Sequence, residues 1–156
     1  MIFEKAAESD IPELTGLRLA YLKEDHGKIP PDMLNTITKN LPPFFARHLN
    51  RDLIVFVCRD AEAIVGCCFL IVTEKPASPA FPNGKTGAVL NVYTRPAYRR
   101  KGVAAALLRM LLAEAAAMRL DDVELKATQA GYPLYQSLGF EDAVSKYREM
   151  KYRSTR

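Results

Sequence analysis

The residues best placed to do chemistry are Arg99-Arg100-Lys101-Gly102-Val103-Ala104. They follow a strand-like run over 86–94 that Pro96 stops, and they open the strongest helical pattern in the chain, 102–118. The first turn of a helix has amide N–H groups with no partner inside the helix, and the macrodipole adds partial positive charge there. Three cations precede this start, and the small residues at 102 and 104 let a ligand approach the backbone. Such a start suits a pyrophosphate. It is not a Walker loop, because no G-x-x-x-x-G-K-[ST] is present, and it is not the dinucleotide G-x-G-x-x-G. Taken alone, the hexad reads equally well as a plain helix start preceded by surface cations.

The other reactive side chains carry less. Cys58, Cys67 and Cys68 sit inside apolar, strand-like runs with no C-x-x-C spacing, so they read as buried, reduced thiols rather than metal ligands. No adjacent histidine or helix start marks any of them as an activated nucleophile. His26 and His48 are isolated in a helical region, where surface or packing roles are the common ones. No metal site is expected.

The elements that must position the hexad follow from pattern. A short edge strand is predicted over 2–6. A helix then begins at Asp10, with Glu13 as capping-box partner and Leu14, Leu17 and Tyr21 forming one apolar face. A weaker helix is expected over 31–40, interrupted by Leu41-Pro42-Pro43 before 44–49. The runs 53–58 and 64–73 read as an antiparallel hairpin, and the proline-rich stretch 75–85 as a loop. After the strand over 86–94 and the long helix come a strand over 123–128, a short helix over 133–138 ended by Gly139, and a final alternating strand over 146–153. The crossover helix makes the strand over 123–128 parallel to the one before it. The fold class is therefore α/β, an α+β mixed sheet, twisted and central, with helices on both faces.

Bulk properties agree. At 156 residues, with 49% hydrophobic and 26% charged content, the chain is expected to form one soluble globular domain over 1–156. The longest apolar run, 63–72, is half of the roughly 20 residues a membrane-spanning helix needs. The N-terminus has no signal layout, so a cytoplasmic protein without membrane partners is expected. The net charge of +4 is local: residues 146–156 alone carry it, and 1–145 sum to zero. A solvated tail explains this, and no nucleic-acid recognition motif accompanies it.

The stretch Val92-Tyr93-Thr94-Arg95-Pro96-Ala97-Tyr98-Arg99-Arg100-Lys101-Gly102-Val103-Ala104 resembles the acetyl-CoA signature of the GCN5-related N-acetyltransferase (GNAT) superfamily. That signature is a strand, a proline-bearing loop and [QR]-x-x-G-x-[GA], whose places Arg99, Gly102 and Ala104 fill. Pro133-Leu134-Tyr135-Gln136-Ser137-Leu138-Gly139-Phe140 is similar to the family's second segment, an aromatic helix ending in Gly-Phe. The element order also fits the family's acyl-CoA acyltransferase fold.

The resemblance implies the following roles. The strand at Val92, Tyr93 and Thr94 splays from its parallel neighbour, and its backbone binds the pantetheine arm and polarises the thioester carbonyl. Arg99, Arg100, Lys101, Gly102, Val103 and Ala104 bind the coenzyme pyrophosphate. Thr128 falls about where many relatives have a coenzyme-binding asparagine. Tyr135 matches the family's general acid for the departing thiolate, with Tyr132, Tyr93 and Tyr98 as alternatives. Some relatives carry a glutamate base on the central strand, but 86–94 holds no acid and Asn91 cannot take a proton. The amine then loses its proton through ordered water or arrives neutral.

The resemblance places the acceptor near the first helix pair, where Glu24, Asp25 and Asp32 are available to hold a cationic amine. Each also reads as a solvated helix end. Asn91 joins Glu24 and Asp25 as an acceptor-site candidate, and 77–85 with Phe81 is a candidate lid. The expected activity is acetyl transfer from acetyl-CoA directly to a small-molecule amine. Acetylation of a peptide or protein amine, or acyl-CoA binding without turnover, are the alternatives. The final strand offers an edge through which two copies can pair.

Overall fold

The computed structural model describes residues 1–155; Arg156, the last cation of the basic tail, lies outside the described residues. The chain divides into two compact units, Met1–Lys126 and Ala127–Arg156.

The first unit is built on β1 (Ile2–Lys5), α1 (Ile11–His26), α2 (Pro31–His48), β2 (Leu53–Asp60), β3 (Ala63–Glu74), β4 (Lys85–Thr94), α3 (Val103–Ala117) and β5 (Val123–Glu124). Its sheet runs in the order β1-β2-β3-β4-β5. The first three pairings are antiparallel and the β4–β5 pairing is parallel, giving the mixed sheet expected. The β2–β3 hairpin closes at Asp60 opposite Ala63.

Strands β2 and β3 are buried on both faces, which period-2 alternation turns into two cores. Leu53, Val55 and Val57 pack with Leu14, Leu17 and Phe45 of α1 and α2. The alternate residues Ile54, Phe56 and Cys58 are buried on the opposite face, and α3 packs on β2, β3 and β4. Its buried side chains are Val103, Leu107, Leu108, Leu111 and Ala115. Close approach depends on Gly66 of β3, where an added Cβ would meet Val103 Cγ1 at 2.7 Å. Each large apolar side chain buried in this way contributes about 1.5–3 kcal/mol.

Four expectations are corrected. Asp10 and Glu13 form no capping box. A 3-10 turn at Glu8–Asp10 precedes α1, so Asp10 is already helical (φ −85°, ψ −7°) rather than extended as a cap requires. Its carboxylate instead accepts the Ala7 N–H at 2.8 Å and the Arg59 guanidinium at 2.6 Å, and Glu13 accepts the Ile64 N–H at 2.7 Å. Both acids thus fasten α1 to the hairpin.

Pro42 and Pro43 do not interrupt α2, which runs unbroken across them. Two lost helical bonds are outweighed by anchoring: Phe45 is fully buried, and Leu41 and Phe44 pack against the same core. The strand expected over 123–128 is only two residues long.

In the second unit, α4 (Tyr132–Ser137) is the helix predicted over 133–138. It ends in a Schellman motif: Gly139 has φ 99°, its N–H bonds Gln136 O at 3.1 Å, and the Phe140 N–H bonds Tyr135 O at 3.0 Å. The Phe140 ring meets Tyr135 edge-on at 5.9 Å, which makes it a packing residue. No strand forms over 146–153. Alternation specifies a strand only where one face is buried, and Tyr147, Met150 and Tyr152 are all exposed between the cations.

Candidate active site

The site begins at a defect in β4. Cys67 pairs with Tyr93 and Phe69 with Leu90, so Asn91 and Val92 stand opposite Cys68 alone. This is a β-bulge, which re-aims side chains and disrupts the ladder. Asn91 takes the left-handed conformation (φ 52°), to which asparagine is suited. Its side chain is buried and donates to Cys67 Sγ at 3.5 Å, while the Cys67 thiol lies 3.8 Å from Asn91 O. On the other edge, β4 pairs with β5 only through Gly87–Val123 and Ala88–Glu124. From Val89 to Thr94 that edge has no ladder partner in β5.

Beyond the bulge the chain is clamped and then turned. The Arg95 N–H and Nε–H bond Val65 O and Ile64 O, both at 2.8 Å, fixing the end of β4. A 3-10 turn at Pro96–Tyr98 follows, with the Tyr98 hydroxyl donating to Asp60 at 2.7 Å. Arg100 (φ 63°) and Gly102 (φ 79°) are both left-handed and swing the chain into α3. Nothing lies within 4 Å of where a Gly102 Cβ would sit, so the ground before the helix start is open. The amides of Val103, Ala104 and Ala105 have no carbonyl behind them in the helix. Lys101 lies over the Tyr98 ring at 5.4 Å, and Arg100 is exposed.

Arg99 behaves differently from its neighbours. Its Nε–H bonds Thr94 O at 2.8 Å, its Nη2 bonds Glu24 Oε2 at 2.7 Å, and its guanidinium lies 5.6 Å from the Tyr93 ring centroid. The hydrogen bond to Glu24 raises its pKa further.

A cavity of about 340 Å³ lies beside the bulge. Helix α2 lines it with Ile37, Asn40, Leu41, Phe44 and Phe45, the strands with Phe69, Ile71 and Leu90, and α1 with Arg18. Arg18 is half-buried and donates from Nη1 to Asn91 Oδ1 at 3.3 Å, with the Tyr21 ring 5.8 Å away. Among the described residues it makes no ion pair. Burial lowers its pKa, partly offset by Tyr21 and Asp25.

The structure brings Asn91, Val92, Tyr93, Thr94, Arg99, Arg100, Lys101, Gly102, Val103 and Ala104 into one continuous stretch at the end of β4 and the start of α3. Glu24 is engaged by Arg99, Asp25 lies 3.5 Å from His26, and neither these acids nor Asp32 line the cavity. Loop residues 77–85 do not line it either; Asn83 and Lys85 are tied to Asp121, and Asn83 also to Arg119 O. In the second unit, Thr128 Oγ1 accepts the Gly131 N–H at 3.1 Å, closing the turn into α4. Tyr135 sits in α4, and Tyr132 donates to Asp142 at 2.8 Å, which raises its pKa. Burial pushes the Cys67 thiol up to about 12 and raises Cys68 and Cys58 too, so none is poised as a nucleophile.

Arg18 was missing from the candidates read in the sequence. The signal was there: Leu14, Leu17, Arg18 and Tyr21 share the i, i+3, i+4, i+7 spacing of one helix face. A cation in an otherwise apolar stripe marks a polar spot in a core.

Among the described residues no helix is long and apolar enough to cross a membrane. A family model for the acetyltransferase (GNAT) domain matches residues 51–142. No curated protein matches the chain. Among solved structures, a "predicted acetyltransferase with acetyl-CoA" from Clostridium acetobutylicum superposes with a TM-score of 0.81 at 24% identity, covering 96% of this chain and 95% of that one. A GCN5-related N-acetyltransferase from Ralstonia eutropha JMP134 gives 0.75 at 25% identity, over 96% and 97%. An aminoglycoside acetyltransferase from an uncultured soil sample gives 0.69 at 19% identity, over 97% and 98%.

Proposed function

The chain belongs to the GNAT acetyltransferase family, and from that premise we propose that it transfers an acetyl group from acetyl-CoA directly to the amine of a small molecule. The observation that carries this reading is β4: bulged at Asn91–Val92, without a ladder partner in β5 beyond Ala88, and leading straight into the open, glycine-turned start of α3.

The residues present fit the coenzyme. The free edge at Val92, Tyr93 and Thr94 offers backbone groups to a pantetheine arm as an added strand would. The amides of Val103 and Ala104, with Gly102 leaving room, suit the pyrophosphate, and Arg100 and Lys101 add positive field. Arg99 acts at one remove, holding the end of β4 and Glu24. A backbone N–H at the bulge polarises the thioester carbonyl. The neighbour from Clostridium acetobutylicum, solved with acetyl-CoA, supports this choice of donor.

The role proposed for Tyr135, proton donor to the departing thiolate, rests on the family segment, as does a coenzyme contact for Thr128. Strand β4 holds no acid, so the amine sheds its proton to water.

Calorimetric titration with acetyl-CoA tests the reading, alongside Gly102→Trp checked for folding by circular dichroism. Saturable binding by the wild type that the folded variant loses is expected. No binding by folded wild-type protein overturns the transferase reading.

A further inference from the structure

The geometry points to a free amino acid with an apolar side chain as the acetyl acceptor, its carboxylate held by Arg18; this rests on the transferase reading above. The cavity beside the bulge is walled by Ile37, Leu41, Phe44 and Phe69, yet a guanidinium faces into it. A half-buried cation without a carboxylate partner favours an anionic ligand strongly, because a buried charge is costly unless paired. Only Nη1 is engaged, by Asn91 at 3.3 Å, which leaves the other N–H groups of the planar fork for a carboxylate. At about 340 Å³ the cavity lies near the lower end of small-molecule sites, roughly 300–1,000 Å³. It has room for one side chain.

The contact between Arg18 and Asn91 sets the reacting end. An α-amino acid carries its amine on the same carbon as its carboxylate. Anchoring the carboxylate on Arg18 therefore brings the amine to the bulge, where the thioester carbonyl is placed by the proposed function. The side chain then fills the apolar remainder. An acceptor bearing only cationic groups would meet Arg18 as a like charge that Asp25 offsets only in part.

The transfer balances as follows. The neutral amine nitrogen forms a bond to the acetyl carbon while the carbon–sulfur bond breaks. The ammonium's first proton has gone to solvent, the second goes to the thiolate sulfur, and the products are the N-acetyl amino acid and free coenzyme thiol.

The test measures thiol release from saturating acetyl-CoA with L-phenylalanine, L-leucine, 2-phenylethylamine, 3-methylbutylamine and L-phenylalaninamide, at matched fractions of neutral amine. Acetyl-CoA binding is measured separately by calorimetry. The amino acids are expected to exceed their matching amines and the amide by at least about tenfold in kcat/KM, as for charge-assisted bonds. Arg18→Met should remove that preference and Arg18→Lys should restore part of it. The wild-type comparison stands even if a variant fails to fold. Equal or better use of the bare amines overturns the proposal, and equal use of the amide overturns it in favour of a peptide N-terminus. No turnover of any of the five by protein that binds acetyl-CoA overturns this acceptor class and leaves the coenzyme reading intact. Absence of acetyl-CoA binding removes both.

Discussion

Arg99 Nη2 donates to Glu24 Oε2 at 2.7 Å, joining two residues that are 75 positions apart and tying the last turns of α1 to the turn before α3. On the proposed coenzyme reading the pair puts Glu24 on the coenzyme side, where it neutralises one of the three cations before α3. Glu24→Gln should therefore change the KM for acetyl-CoA, and leave the KM for the acceptor within error. The pair is partly exposed, so the change should stay within about fivefold and shrink with added salt. A raised acceptor KM at constant coenzyme KM would instead return Glu24 to amine binding.

Tyr135→Phe tests the proton donor proposed above. The competing phenols differ in their partners: Tyr98 donates to Asp60 and Tyr132 to Asp142, and these bonds raise both pKa values. Tyr98→Phe and Tyr132→Phe are the matching controls. Tyr135→Phe is expected to lower kcat by about 10²–10⁴, the usual range for general acid catalysis, with acetyl-CoA affinity little changed. A loss confined to KM would assign the ring to packing against Phe140.

The thiols make a pH prediction with a definite sign. Burial raises Cys67 from near 9 to about 12 and raises Cys68 as well, so both stay protonated in the folded chain where an unfolded chain ionises them. From pH 9 upward the unfolded state binds fewer protons, and stability falls as pH rises. Each thiol contributes a slope of about 1.4 kcal/mol per pH unit across its own shifted range. Urea denaturation of wild type and Cys67→Ala/Cys68→Ala at pH 8, 9.5 and 10.5 should show the steeper decline in the wild type. Mass spectrometry after incubation with acetyl-CoA should show no acetyl adduct on either cysteine.

What the sequence revealed, and what it hid, divides by physical scale. The start of α3 was legible because cations, a glycine and an alanine-rich helix are local facts. The hairpin was legible because two apolar runs separated by only five residues leave little choice of pairing. Arg18 was not singled out, because its meaning depends on Asn91 and on α2, both distant in the chain. The carboxylates Asp10 and Glu13 had the spacing of a capping box, but Arg59 and the Ile64 amide, about 50 residues away, claimed them. The bulge at Asn91–Val92 was hidden too, since it exists only as a count of residues against β3.

Pro42 and Pro43 in α2 show the same override energetically. Each removes a helical hydrogen bond, and an interior proline costs about 3 kcal/mol, reduced by the roughly 0.4–1 kcal/mol it gains by restricting the unfolded chain. Both side chains are exposed, so the orphaned carbonyls can bond water. The helix persists because Leu41, Phe44 and Phe45 flank the prolines and pack into the core. Pro42→Ala and Pro43→Ala should each stabilise the protein by about 2 kcal/mol in urea denaturation. Leu41, Phe44 and Phe45 also line the cavity proposed for the acceptor, so regularising the backbone between them should raise the acceptor KM while the acetyl-CoA dissociation constant holds. Destabilisation by either substitution would mean that the rigid proline pair itself fixes the path of α2 over the sheet.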